Sequence, residues 1–567
     1  TAQEFNKAEQ NFKKALILDP TKMNTYHNLS IVFEKLHDFS DGIKNFNRAI
    51  LFKDDFAEAH AASGTILGLI GETESSILAF TKSLIIDTNY DVAWNNVYFP
   101  LKVANFYEPE IAKEFFLKFK DATPYAEYLE YKIHLGQTNI NTLASKVMAT
   151  SKKEQFLVSN PNPIKAKQTQ KRVLPEKIFS LLHFGRSGTG LLHSLIDNHQ
   201  EVSTTPSVYF SEYFDSLTWK KIANDGWDKM VDNFIETYPV LFDARSSHPI
   251  LSKSGQYSIE LGIKEGMASV GEDRNEFLFV DRDLFRNELT DQLTSLDRID
   301  PYTFFQLVHI AYEKALGNKN PKSVIFYHIH NPDICAQFNF LTLAPKNKWI
   351  VMVREPIQCC ESWIREVFNS GNDLGMASNI IQMLHDIDNI IFQYQEGIGV
   401  RLEDLTIHPK TTIHALCKWM GISEQDTLYE STAQGKKWWG DPSSPDYGKD
   451  GQNVFDSKPI KRKVGSIFSK NDQFVLRTLF YPFSVKFGYT EENPKQFKSD
   501  LAEIRPIIDQ PFDFEKELAR KQHKKPEQLA GTGPYLYLRA GLIERWNVLN
   551  EFHTYPNMLT PLKLEQK

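Results

Sequence analysis

Lys177–Phe184 reads KIFSLLHF, a short apolar run bounded by polar residues. Gly185-Arg-Ser-Gly-Thr-Gly190 follows, and Leu191–Ile196 then shows helical spacing. A run of this length with such boundaries is a buried strand. A strand that feeds a glycine loop and then a helix aims backbone N–H groups and the positive end of a helix dipole at one point, which makes a seat for an anion. The unit therefore places this part of the chain in the α/β class and predicts a phosphate-bearing ligand.

The identity of that phosphate is constrained by what the loop lacks. A Walker A loop requires G-x-x-x-x-G-K-[ST]. Gly185 and Gly190 have that separation, but Leu191-Leu192 stand where the lysine and the magnesium-binding hydroxyl belong. A magnesium–ATP enzyme would lack its charge clamp and its metal ligand. A nucleotide kinase is thus the disfavoured alternative. The positive charge lies inside the loop, at Arg186. Downstream, Trp349–Val353 is a second buried strand, with Arg354 at its end, Pro356 opening a helix and Ser362 two turns into it. Arg354 and Ser362 can converge on one anion.

The R-S-G-T loop at Arg186–Thr189, followed in order by the R-x-P…S arrangement of Arg354, Pro356 and Ser362, resembles the sulfotransferases. Three further segments agree with the resemblance. Val400–Leu405 is similar to the family's R-Y-E-D-L strand end, the following helix ends in Gly-Ile, and Lys461-Arg-Lys-Val-Gly465 is similar to its basic R-K-x-G element. The resemblance implies a three-layer P-loop-like α/β fold with a parallel sheet. It also implies 3′-phosphoadenosine 5′-phosphosulfate as sulfuryl donor, with no metal. Arg186, Ser187, Gly188, Thr189 and Gly190 would take the 5′-phosphosulfate, and Arg354, Ser362, Arg462, Lys463 and Gly465 the 3′-phosphate. Leu402 departs from the pattern, standing where relatives often carry a tyrosine near the adenine.

Sulfuryl transfer needs a base for the acceptor and a cationic or donor group at the bridging oxygen. Two candidate bases are expected. Glu212 lies in PSVYFSEYFD, 26 residues after Arg186, in the region where tyrosylprotein and heparan-type enzymes place a glutamate. His330 lies in VIFYHIHNPD, where the small-molecule enzymes carry a histidine within K-x-H-x-P, although the lysine is missing here. The preferred assignment is Glu212 as base, with His330 at the bridging oxygen or sharing the base role and Arg186 on the phosphosulfate. Trp438-Trp439-Gly-Asp-Pro442 is either an acceptor-pocket wall or a packed corner.

The N-terminal part carries a 34-residue period. Ala8, Gly42 and Ser76 recur at that spacing, as do Phe12, Phe46 and Phe80, and Tyr26, His60 and Trp94. Small residues in one column let two helices approach closely, and the aromatic column four later fills the gap between them. These columns resemble the tetratricopeptide repeat, entered in the second helix of a unit. Such repeats stack into an all-α solenoid with a concave binding face.

At 567 residues the chain needs several domains. The expected division is a repeat solenoid over 1–105, a helical connector and linker over 106–174, and a sulfotransferase domain over 175–490. Residues 215–320 are a helical insertion on the acceptor side, and 491–567 are a C-terminal extension. The net charge of −7 gives no basic field for nucleic acid. The four cysteines (Cys335, Cys359, Cys360 and Cys417) have no metal-like spacing and fit a reducing compartment. No apolar run reaches the length of a membrane span, so a cytoplasmic location is expected. The function expected is sulfuryl transfer to a hydroxyl or amine, with a protein or glycan acceptor docked by the repeats. An inactive sulfotransferase-like domain on a binding scaffold is the remaining alternative.

Overall fold

The computed structural model describes residues 2–120, 122–134, 156–163, 174–206, 213–246, 248–249, 258–259, 261–329, 334–389, 391–442, 447, 454–522 and 524–565.

The repeat columns become helix pairs. Helix α1 is Ala2–Leu18, α2 Met23–Lys35, α3 Phe39–Phe52, α4 Ala57–Leu69, α5 Thr73–Ile86 and α6 Asp91–Tyr107. The column Tyr26, His60 and Trp94 makes the same bond three times. Tyr26 Oη donates to Pro20 O at 3.1 Å, His60 Nε2 lies 3.0 Å from Asp54 O, and Trp94 Nε1 donates to Thr88 O at 2.9 Å. Each ties the second helix-facing position of a unit back to the turn six residues earlier. Phe46 and Phe80, one period apart, are fully buried. The Ser76 hydroxyl donates to the carbonyl of Gly64 at 2.6 Å, so the small column does bring neighbouring helices into contact. Helices α7 (Pro109–Phe119) and α8 (Pro124–Ile133) extend the array, with Phe115 and Phe119 packed edge-on against Trp94.

The second body is built on a six-stranded sheet. Its strands are β1 Lys177–His183, β2 Val202–Ser203, β3 Val324–His328, β4 Lys348–Val353, β5 Gly397–Arg401 and β6 Thr560–Pro561. The spatial order is β6-β5-β4-β1-β3-β2, and every pairing is parallel. A parallel sheet covered on both faces needs strands that are apolar throughout. Accordingly, β3 is buried at all five positions and β4 at five of six. The chain leaves β1 toward the β3–β2 side and later returns on the other side with β4. In such sheets ligands bind outside the carboxyl ends of the strands where the order reverses. That point lies between β1 and β4.

The region after β2 is largely helical, with helices at Ser216–Ala223, Met230–Thr237, Arg282–Leu293 and Pro301–Ala315. The stretch expected as linker contains one short strand. Val158–Ser159 pairs antiparallel with Arg298–Ile299. The carbonyl of neighbouring Phe156 accepts from Trp219 Nε1 at 2.9 Å, and buried side chains hold this piece of chain in place. Among the described residues, no helix is long and apolar enough to cross a membrane.

Residues after 490 contribute β6 to the sheet and a long helix, Gly533–Phe552. That helix packs on both α6 of the repeats and the helix Asp373–Asp386. Charged groups meet in this junction. Lys102 of α6 pairs with Glu544, whose other oxygen meets His385 at 3.2 Å and Arg545 at 2.8 Å. Tyr98 Oη is 3.4 Å from His385 Nδ1. Arg545 is fully buried and also pairs with Asp388 at 2.8 Å. Removing one partner of a buried pair strands the other charge, at a cost of about 3–5 kcal/mol. Arg545→Ala should lower the unfolding free energy by about that amount in a urea titration, and Arg545→Leu with Asp388→Leu should recover most of the loss.

Candidate functional site

Strand β1 runs into the loop Gly185–Gly188, and helix α9 (Thr189–Ile196) leaves it. Gly188 sits at φ +89°, a region that glycine alone enters without strain. A Cβ there would also stand 2.9 Å from Leu402 Cδ1. Leu402 is therefore the floor under the loop, which accounts for an aliphatic residue where the family resemblance suggested a tyrosine. Ser187 is buried, and its hydroxyl accepts from Phe184 N at 3.2 Å, closing the loop on itself. The backbone N–H groups of Ser187, Gly188, Thr189 and Gly190 have no acceptor among the described residues. Four adjacent donors at a helix N-terminus fit an anionic group such as a phosphosulfate. The Arg186 side chain is exposed and reaches Asp441 at 3.1 Å.

Arg354 follows β4, and the register places it beside the loop, since His183 of β1 faces Met352 of β4. Its side chain is 3% exposed. Nη1 donates to Arg186 O at 3.4 Å, and Nε donates to Gln358 Oε1 at 2.9 Å. Gln358 lies in helix α10 (Pro356–Asn369) and uses its amide N–H groups on Ile460 O, at 3.1 Å, and on Arg462 O. One glutamine thus links Arg354 to the basic segment 458–465. Burial pulls the Arg354 pKa below its ordinary value, and the charge of Arg462 acts in the same direction.

The same helix holds the far end of that segment. Glu361 is buried, and its carboxylate accepts from Gly465 N at 2.9 Å, Ser466 N at 3.1 Å, Ser466 Oγ at 2.7 Å, Ile467 N at 3.3 Å and Phe468 N at 3.1 Å. Burial would push this carboxyl up, but the donors from Ser466, Gly465 and Phe468 prevail and hold it below its usual value. Of the other residues expected at the 3′-phosphate, Arg462 is partly buried, Lys463 and Gly465 are exposed, and Ser362 is partly exposed on α10 beside Glu361. Glu212 and His330 lie outside the described residues. His328, at the end of β3, is buried with its ring 6.0 Å from that of His193 on α9.

A cavity of about 130 Å³ opens against the other side of α9, lined by Gly190, His193, Glu265, Tyr312, Gln434 and Trp438 among others. Trp438 lies over Gly190, where a Cβ would stand 3.2 Å from the indole, and donates from Nε1 to Glu265 O at 2.9 Å. Trp439 instead donates to Gly271 O at 2.7 Å and lies under the Arg274 guanidinium at 4.1 Å. Of the two expectations for this tryptophan pair, the first residue is a pocket wall and the second a packed corner. Burial, followed by the nearby charge of Asp441, raises the Glu265 carboxyl to about 7, against the opposing pull of Arg186 and Lys264. Glu265 was not legible in the sequence. It stands 79 positions after Arg186 within no recognisable motif, and only the fold brings the two together.

No family model matches the chain, and no curated protein does. Among solved structures, the chain is similar to the sulfotransferase domain from the Synechococcus PCC 7002 olefin synthase, at 14% identity and TM-score 0.31, over 56% of this chain and 98% of that one. It is similar to the sulfotransferase domain from the curacin biosynthetic pathway at 13% identity and TM-score 0.25, over 59% and 98%. It is also similar to MamA at 20% identity and TM-score 0.21, over 26% and 85%.

Two outcomes test this geometry. Gly188→Ala should cost about 1–3 kcal/mol of stability in chemical denaturation, because alanine is strained at that φ and meets Leu402. The anchoring by Glu361 is complete above the ordinary carboxyl value of 4.5 and is lost as pH falls below it. Amide exchange at 465–468, corrected for intrinsic rates, should therefore accelerate on acidification in the native chain and already be fast at pH 7 in Glu361→Ala.

Proposed function

We propose that the chain is a sulfotransferase that moves a sulfuryl group from 3′-phosphoadenosine 5′-phosphosulfate to a hydroxyl, or an amine, of a protein or glycan acceptor. The observation that carries this reading is the hydrogen-bonded chain Arg186 O–Arg354–Gln358–Arg462 O, which joins three anion-directed segments at the carboxyl end of the central strands. The free N–H groups of Ser187–Gly190, with Arg186 at the rim, take the 5′ end. Arg354, Ser362, Arg462, Lys463 and the Gly465 turn take the 3′-phosphate.

The donor supplies an activated sulfur whose leaving group is a phosphate oxygen. Arg186 and the loop N–H groups hold negative charge as it gathers on that oxygen. In this reading Glu212 and His330 remain candidates for the base and for the donor to the bridging oxygen. The repeats would dock the acceptor, and the chain would act in the cytoplasm without a metal. The functional division follows the boundaries near 105, 174 and 490, with 215–320 on the acceptor side.

Thermal unfolding with 3′-phosphoadenosine 5′-phosphate tests the reading. Ligand at a hundredfold excess over Kd stabilises the native state by about 2.7 kcal/mol. The melting temperature should rise by several degrees, more than with ATP and magnesium, and the rise should vanish in Arg354→Ala. A larger response to ATP with magnesium would favour a kinase. Donor binding without any turnover would favour an inactive scaffold.

A further inference from the structure

The cavity beside α9 has a composition that narrows the acceptor. Most of its wall is polar. Asp197 accepts from Thr204 Oγ1 at 3.0 Å, Thr432 Oγ1 at 3.1 Å and Gly435 N at 2.9 Å, which fixes one side. The Gln434 amide donates to Tyr312 Oη at 2.8 Å and its carbonyl accepts from Phe279 N at 3.2 Å. Gln434 itself sits at φ +51°, so these bonds hold a strained residue at the wall. Glu313 is paired with Lys322 at 2.9 Å. These polar groups are already satisfied. Two titratable groups are not. The Glu265 carboxyl makes no hydrogen bond to a described residue, and His193 Nε2, on a side chain 6% exposed, has no partner among them. Trp438, whose indole donates to the Glu265 carbonyl, supplies a flat apolar face to the same cavity.

Position gives these groups a direction. Gly190 belongs to the anion loop and to the cavity wall at once. Glu265 is close enough to Arg186 and Asp441 for their charges to act on it. Glu265 thus shares the cavity wall with Gly190 of the anion loop, and its carbonyl holds the Trp438 indole that lies over Gly190. At about 130 Å³ the space is well below the roughly 300–1,000 Å³ of sites that enclose a drug-sized ligand, so it takes one ring of an acceptor. A ring with hydroxyls around its edge and an apolar C–H face matches polar walls and a single indole.

Resting on the sulfotransferase reading, we propose that this cavity is the acceptor site, that its occupant is a sugar ring, and that Glu265 is the catalytic base. The acceptor O–H gives its proton to the Glu265 carboxylate as the acceptor oxygen forms a bond to sulfur. The bond from sulfur to the 5′-phosphate oxygen breaks, and its electron pair leaves with 3′-phosphoadenosine 5′-phosphate. His193 lines the same space.

The experiment measures transfer of labelled sulfate from the donor to a panel of methyl hexosides, with tyrosine and serine amides as contrast. Stabilisation by 3′-phosphoadenosine 5′-phosphate is followed in parallel. Native enzyme should sulfate at least one hexoside, and Glu265→Gln should lose about a hundredfold or more in kcat, the usual scale for a general base. The acceptor KM and the nucleotide stabilisation should stay near native, which also shows that the variant is folded. The native rate should rise with pH to about 7 and level off, since the base must be ionised. The charges that act on Glu265 are those of Asp441 and Arg186 across the rim and Lys264 on its own segment; His193 and Asp197 from α9 and the Glu313–Lys322 pair are other titratable groups lining the cavity. Transfer to the amides alone, no transfer to any acceptor by a nucleotide-binding enzyme, or Glu265→Gln within a few-fold of native would each overturn the proposal. No nucleotide stabilisation of the native protein would overturn the sulfotransferase reading beneath it.

Discussion

The site depends on the parallel pairing of β1 with β4. The register from Phe179–Lys348 to His183–Met352 ends both strands at one level. The glycine loop and Arg354 are consequently neighbours, although they are separated by a long insertion. Burying a guanidinium is costly unless its hydrogen-bonding groups are satisfied. Here a backbone carbonyl and a glutamine amide accept from it, and neither neutralises its charge. The result is a cation held in a fixed place beside the glycine loop. Gln358 and Glu361, one turn apart on α10, extend this order outward by fastening the basic segment to the same helix.

Much of this was legible where the chemistry is contiguous. The loop 185–190 and the strand end at Arg354 are each read from a short run of neighbouring residues, because a strand–loop–helix unit is a local object, and the repeat columns are read from their recurrence every 34 residues. The equivalent bonds of Tyr26, His60 and Trp94 show why the repeat columns were so clear: each column has one mechanical job, done three times. Gln358, Glu361 and Glu265 were not legible. Their partners are Arg462, the 465–468 turn and Arg186, respectively about 100, 100 and 80 positions away, and no short pattern announces them. Leu402 looked like a departure from a nucleotide-stacking position, whereas its packing against Gly188 gives it a role that only the folded loop reveals.

The junction between repeats and sheet carries buried charges inside an apolar interface, in which Phe99 packs edge-on against Tyr537. Lys102, Glu544, His385, Arg545 and Asp388 are drawn from α6, from the helix Asp373–Asp386 with the residues just after it, and from the helix Gly533–Phe552. Hydrophobic contacts tolerate sliding, but a network of buried ions has one geometry in which all its charges are matched. The solenoid is therefore held at a set angle to the sheet, and its concave face keeps a constant relation to the α/β body.

The edge strand β6 pairs with β5 across roughly 160 residues of chain, Thr560 lying opposite Ile398. During synthesis at about 5–20 residues per second, the outer edge of β5 waits roughly 8–30 s for its neighbour. For that interval its backbone donors and acceptors are open to any passing strand. The sheet is thus complete only once residues 560–561 have emerged, and until then its exposed flank is the outer edge of β5.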